Sequence, residues 1–221
     1  MATKRLLVIN PNTNGEVTAS ARHAALACAQ AGTTITAVNP DSGPFAIEGP
    51  EDRLFAIPQV AAIIGASRPA PYDGYVLACF DDIGVEEGRG LVSRPVISIA
   101  EAGIRAATAA YRRFAIVTTV AEAVPTIEQL AEKYGVAGRC TVRATGIGVA
   151  EAARQSSAAE ARLLRTILDL RREGAEAVIL GSGAYVGRAA ELTARCGVPI
   201  IDGLEAAIRY CETASHRLPA G

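Results

Sequence analysis

An internal repeat with a period of roughly 100 residues constrains this chain more than any other feature. Pro95-Val96-Ile97-Ser98-Ile99-Ala100-Glu101-Ala102-Gly103-Ile104-Arg105 is answered by Pro199-Ile200-Ile201-Asp202-Gly203-Leu204-Glu205-Ala206-Ala207-Ile208-Arg209, with Pro, Ile, Glu, Ala, Ile and Arg in register. The halves also open alike, Leu6-Leu7-Val8-Ile9-Asn10 matching Phe114-Ala115-Ile116-Val117-Thr118. The apolar run ending in Ala78-Cys79 has its partner in Val178-Ile179-Leu180-Gly181-Ser182. A solenoid repeats every ~20 to 50 residues, so the pattern predicts two similar α/β lobes, 1–106 and 107–221, with segments near the chain end packing back on the first.

Strand-length runs near 5–10, 34–38, 74–79, 95–99, 114–119, 141–145, 176–181 and 199–202 alternate with helical patterns near 14–31, 51–66, 101–112, 123–134, 150–173, 185–196 and 203–214. Continuous Val/Ile/Leu runs between helices indicate parallel strands buried on both faces. The expected fold class is therefore α/β: two pseudo-symmetric lobes, each a mostly parallel sheet flanked by helices, with the active site between them. Ligands of such sheets bind beyond the carboxyl ends of the strands, near topological switch points. Asn10, Cys79, Thr118 and Ser182 all fall at strand ends.

The remaining composition removes function classes. A net charge of −1 gives no footprint for nucleic acid or an anionic membrane surface, which leaves a small-molecule substrate. Lys4 and Arg5 lead into an apolar run too short for a signal-peptide core, and no stretch approaches a membrane span; a cytoplasmic location is expected. Five cysteines, Cys28, Cys79, Cys140, Cys196 and Cys211, are odd in number and lack C-x-x-C spacing, which points to reduced thiols.

No cofactor or metal is expected. Lys4 and Lys133, the chain's two lysines, are poorly placed for a Schiff base, and no P-loop or dinucleotide fingerprint occurs. The acidic cluster Asp81-Asp82 and Glu86-Glu87 has no nearby histidine and is expected to cap the following helix. His23 and His216 read as surface or packed side chains, and Ser182 lacks both a G-x-S-x-G elbow and a histidine partner. Cys79 remains. Backbone N–H groups of a turn and helix start there are expected to lower its pKa from about 8.5, making a thiolate that serves as nucleophile or carbon-proton base.

The segments Val8-Ile9-Asn10-Pro11-Asn12-Thr13, Ala46-Ile47-Glu48-Gly49, Ala78-Cys79-Phe80-Asp81-Asp82-Ile83-Gly84, Ile116-Val117-Thr118-Thr119 and Pro199-Ile200-Ile201-Asp202-Gly203 resemble the aspartate/glutamate racemase superfamily, specifically its hydantoin and allantoin racemase branch. The resemblance runs through nearly the whole chain. It implies a cofactor-independent two-base mechanism in which one cysteine removes the α-proton of a cyclic ureide and a second returns a proton from the opposite face. It also implies that Asn10 and Thr118 orient ring carbonyls or N–H groups, that Phe80 and the segment around Ile47 form an apolar wall, and that Thr119, Gly183 and Tyr185 complete the substrate contacts. A homo-oligomer is implied too, for which the apolar helix faces Ala106 to Ala110 and Leu163 to Leu170 are suited.

One departure matters. The second family motif reads glycine then cysteine, and this chain has Gly181-Ser182-Gly183-Ala184-Tyr185. A hydroxyl without a base is a poor carbon acid or base. Three readings stay open: a racemase whose second cysteine was replaced, a one-thiol member carrying out a one-sided exchange, decarboxylation or isomerisation, and a ligand-binding protein without turnover. Tyr185 and Gly187 also depart from the family's small-residue and methionine pattern.

Overall fold

The computed structural model describes residues 3–214; His216 lies outside them. The first half runs β1 (Lys4–Ile9), α1 (Gly15–Cys28), β2 (Thr33–Val38), α2 (Pro50–Ala66), β3 (Gly74–Leu77), α3 (Val85–Leu91), β4 (Val96–Ser98) and α4 (Ile99–Ala110). The second runs β5 (Phe114–Thr118), α5 (Val124–Lys133), β6 (Cys140–Ala144), α6 (Val149–Arg154), α7 (Ser157–Arg172), β7 (Ala177–Leu180), α8 (Ala189–Cys196), β8 (Ile200–Ile201) and α9 (Gly203–Thr213). Both sheets are four-stranded and parallel, ordered β2-β1-β3-β4 and β6-β5-β7-β8.

Three local expectations need correcting. The sequence sets no bounds for α3, the helix whose start is expected after Cys79, because Gly88 and Gly90 weaken its propensity. Packing overrides this: a Cβ on Gly88 would stand 2.7 Å from Ile64 Cδ1, so glycine lets α3 lie close against α2. The single helix expected over 150–173 is broken at Gln155, which takes a left-handed φ of 53°, and Ser156 Oγ then caps α7 by accepting from Ala159 N at 3.1 Å. The helix expected from 185 begins at Ala189, after a short 3-10 turn over Gly183–Tyr185.

Each buried strand divides its side chains between two cores. Leu6, Val8 and Val76 join Phe114, Ile116 and Ile179 in one core between the sheets. Leu7, Ile9, Tyr75 and Leu77 face α2 on the outer side of the first sheet, and Ala115, Val117, Val178 and Leu180 face α7 on the outer side of the second. Leu163, Ile167 and Leu170 belong to that last core, so much of the 163–170 face is spent inside the second lobe. No helix among the described residues is long and apolar enough to cross a membrane.

The repeat exchanges its helices. Helix α4, which follows the fourth strand of the first half, contacts β7 and β8; helix α9, its counterpart, contacts β1, β3 and β4. The boundary expected at residue 106 thus falls inside a helix that touches both lobes. Ser98 Oγ caps α4 by accepting from Glu101 N at 2.9 Å, and Asp202 Oδ1 caps α9 by accepting from Leu204 N at 2.8 Å. The helices meet at their starts, where a Cβ on Gly203 would lie 2.1 Å from the Ile99 carbonyl oxygen.

Gly203→Ala is therefore expected to destabilise the fold by about 1–3 kcal/mol, as overpacking of a well-filled core does. Gly15→Ala, at a helix start with nothing within 4 Å of the added methyl, serves as the comparison in urea titrations.

Candidate active site

The two halves carry matched strand ends. In the first, Ile9 is in register with Leu77, and Ala78 N donates to Ile9 O at 2.8 Å. In the second, Val117 is in register with Leu180, and Gly181 N donates to Val117 O at 2.8 Å. The next residues are Cys79 and Ser182. Each stands where the strand order reverses, between β1 and β3 or between β5 and β7, the position at which parallel sheets leave a crevice.

Cys79 and Ser182 line one cavity between the lobes, together with Asn12, Ile47, Arg53, Phe80, Asp81, Thr118, Thr119, Ile127, Gly181 and Gly183. The walls approach closely: a Cβ on Gly183 would lie 3.2 Å from the Ala78 carbonyl oxygen, and one on Gly181 would lie 2.5 Å from Ile116 Cγ2. Glycine at 183 lets the second lobe's loop reach the first without collision, and glycine at 181 lets that loop lie against β5 of its own lobe.

Two expected contacts sit elsewhere. Asn10 is buried behind the cavity, where its Nδ2 is shared among Asn12 Oδ1 at 2.8 Å, Thr18 Oγ1 at 3.0 Å and Asn14 O at 3.1 Å. It is Asn12, whose Oδ1 also accepts from Asn14 N at 2.9 Å, that reaches the lining. Tyr185 is 2% exposed and turned into the second lobe, its hydroxyl 3.1 Å from Thr145 Oγ1. Gly187 takes a φ of +80° and donates its N–H to the Asp202 carboxylate, which ties the Ser182 loop to the cap of α9.

The structure adds Arg53 and Asp81 to the residues read from sequence. Arg53, on the first turn of α2, forms an ion pair with Asp81 at 2.8 Å. The acidic cluster does not act as one capping group: Asp81 lines the cavity, Asp82 bonds elsewhere, and α3 starts at Gly84 with no side-chain cap. Nothing in the pair Asp81-Asp82 separates these roles, since only the turn at 80–84 decides which carboxylate faces inward. Among the described residues no group of His, Cys, Asp and Glu is arranged to hold a metal ion. His23 is exposed on α1.

The expected lowering of the Cys79 thiol is reversed. Burial pushes it well above the ordinary thiol range, and the Asp81 carboxylate pushes the same way; the Arg53 guanidinium and the N–H groups of Phe80 and Asp81 pull it down but do not prevail. Asp81 is itself pushed up to about 6, chiefly by burial, with Arg53 opposing and Asp82 assisting. Ser182 Oγ accepts from Ala184 N at 3.3 Å, and the lining holds no histidine to take its proton. The cavity thus sets a thiol in a charged, poorly solvated wall against a hydroxyl in a neutral one.

Because a carboxylate raises the thiol, Asp81→Asn is expected to speed alkylation of Cys79 by iodoacetamide in mildly alkaline buffer, about threefold for each pKa unit removed, the gain in thiolate being partly offset by its weaker nucleophilicity. Arg53→Met is expected to slow it. Peptide-mapped mass spectrometry isolates Cys79 from the other thiols, and slower alkylation in Asp81→Asn would reverse the assigned sign.

Comparison with known proteins follows this geometry. Residues 6–211 match the Asp/Glu/Hydantoin racemase family. The chain is 37% identical over 207 residues to a hydantoin racemase of Rhizobium meliloti, a match covering 93% of this chain and 86% of the relative. It is similar to the solved allantoin racemase from Klebsiella pneumoniae, with TM-score 0.91, 38% identity and coverage of 96% and 87% of the two chains. The allantoin racemase from Pseudomonas fluorescens gives 0.88 and 32%, covering 95% and 89%. With the family match spanning both lobes and the strand ends that carry Cys79 and Ser182, the chain belongs to the Asp/Glu/hydantoin racemase family and is an enzyme of the racemase type.

Proposed function

We propose that this enzyme acts without a cofactor on a 5-substituted hydantoin or a related cyclic ureide, Cys79 removing the α-proton from one face while Ser182 stands at the other. The observation that carries the reading is the shared cavity: the two residues matched by the repeat line one space from opposite lobes. Relatives named hydantoin racemase and allantoin racemase support this substrate class.

The chemistry follows from the wall compositions. Removing the hydrogen between a ring carbonyl and a ring nitrogen leaves a planar, enolate-like carbanion, which returns to either hand according to the side from which a proton arrives. Cys79 Sγ takes the hydrogen as a thiolate and becomes the thiol. Burial destabilises that thiolate before substrate binds, so the sulfur is a strong base once formed. Asn12, with Oδ1 committed inside its loop, offers its Nδ2 to a ring carbonyl, and the Thr118 and Thr119 hydroxyls offer further contacts. Phe80 and Ile47 supply apolar surface.

The Ser182 side is the slow one. An aliphatic hydroxyl is a far weaker acid than a thiol, and without a base it neither gives nor takes a carbon-bound proton readily. In deuterium oxide, the enantiomer whose hydrogen faces Cys79 is expected to lose its α-proton signal much faster than optical rotation decays. Ser182→Cys is expected to raise interconversion by about 100-fold or more, the usual contribution of a placed acid or base, and Cys79→Ser to abolish exchange. Absence of exchange for both enantiomers of substituted hydantoins and of allantoin sinks the substrate assignment.

The hydroxyl at 182 also favours a second reading. A one-sided reaction needs a single proton-delivering thiol, as when a malonate-type acid loses carbon dioxide and its carbanion is protonated by Cys79. Carbon dioxide release from an arylmalonate, with no hydantoin exchange, selects that reading.

A further inference from the structure

The side chain of Asp82 is 6% exposed and takes hydrogen bonds from three side chains on two elements. Ser98 Oγ, at the start of α4, donates to Oδ1 at 2.5 Å. Lys133 Nζ and Tyr134 Oη, at the far end of α5 in the second lobe, donate to Oδ2 at 2.8 and 2.5 Å. Tyr134 remains a phenol here, its ionisation pushed up by burial and then by Asp82 itself. Asp82 lies three residues after Cys79, while Thr126 and Ile127 at the near end of α5 line the cavity. One helix of the second lobe thus runs from the cavity wall to the carboxylate that anchors the thiol's loop, a span of about 10 Å at 1.5 Å per residue.

We propose that Asp82 is a positioning residue: it clamps the Cys79 loop to α5 and thereby sets how far the thiol stands from the opposite wall. The inference rests on the reading of Cys79 as the reacting base. A charge-assisted bond from Lys133 and a phenolic bond converge on one oxygen, and such bonds are shorter and more directional than neutral ones. Simple burial would not require this, since apolar groups of like volume stabilise a core equally well. The charged groups around the clamp are Asp81 on the same loop, Glu86 on α3 at 3.7 Å from Lys133 Nζ, and Glu101 on α4, which is held by Arg89 at 2.6 Å and Arg105 at 2.7 Å.

The test cuts only the second-lobe half of the clamp, leaving the Ser98 bond and both acidic residues in place. In Lys133→Met with Tyr134→Phe, alkylation of Cys79 by N-ethylmaleimide is expected to quicken about tenfold at every pH, because the loop loosens. Hydantoin α-proton exchange is expected to lose about tenfold in kcat with KM changed less than twofold, the signature of misplaced reacting atoms. Lys133→Arg, which keeps a cationic donor, should retain wild-type values in both assays. Circular dichroism melting establishes that each variant folds; if the double variant does not, Tyr134→Phe alone is read in the same two assays. Unchanged alkylation and unchanged kcat in a folded variant overturn the proposal, as does a mere shift of the alkaline limb, which would mean that Lys133 acts through Asp81. The alkylation arm needs no substrate, so it stands even where no hydantoin is turned over.

Discussion

One face of each sheet is buried against the other half of the molecule: Leu6, Val8 and Val76 meet Phe114, Ile116 and Ile179 around α4 and α9. The site depends on this shared core. Each half alone would leave half of it in water, and burying such apolar surface is the dominant favourable term in folding. The exchange of α4 and α9 between lobes completes it, and the approach of Gly203 to the Ile99 carbonyl shows how little room separates the helix starts. With the sheets fixed in this way, the carboxyl ends of β3 and β7 border one cavity, and Cys79 and Ser182 arrive there as a consequence of topology.

The same closeness shapes the chemistry. Excluding water destabilises a thiolate, so burial lifts Cys79 rather than lowering it, yet it also strengthens every remaining charge interaction in the cavity. Arg53 and Asp81, paired at 2.8 Å, act on the thiol with opposite sign and adjust what burial imposes. The loop carrying Cys79 and Asp81 is held through Asp82. The second half has a related device: Asp202, matched to Ser98 in the repeat, accepts from Gly187 N and holds the Ser182 loop to the start of α9. Each reactive loop is thus tied to the cap of the helix that follows its lobe's fourth strand.

Much of this was legible in the residues because two independent signals agreed. Short apolar and β-branched runs mark the eight strands of the described residues, and the repeat pairs Cys79 with Ser182. What escaped was local and conformational. The bounds of helix α3 are hidden by its glycines, of which Gly88 serves packing against Ile64; the break at Gln155 needs a left-handed backbone that no common signal announces. Among site residues, Asn10 looked like a ligand contact because it ends a strand, but its amide is spent ordering the turn that presents Asn12. Tyr185 directly follows the Ser182 loop, yet its ring belongs to the second lobe's core. Which of two neighbouring side chains faces a cavity is set by one backbone turn, and composition carries no record of it. The thiol's pKa was misjudged for a related reason: a strand end near N–H groups suggests stabilisation, whereas the net effect depends on how much water the opposite lobe removes.

The asymmetry between Cys79 and Ser182 rests on a backbone that is close to symmetric. The bonds from Ala78 N to Ile9 O and from Gly181 N to Val117 O have the same length, 2.8 Å, and the crowding at Gly181 and Gly183 leaves residue 182 as the side chain that this loop presents at the tip of its strand. Serine and cysteine place their reactive atom on the same Cβ, so the repeat carries either at this strand end. They differ greatly in acidity, so the chemistry does not. A thiol opposite Cys79 would make the two faces of a bound carbon acid comparable; the hydroxyl makes them unequal while leaving the cavity, its polar contacts and its clamp intact. On the proposed reading, binding and the first proton removal depend on features this chain retains, and the fate of the carbanion depends on the hydroxyl that stands at 182 where the first half has a thiol.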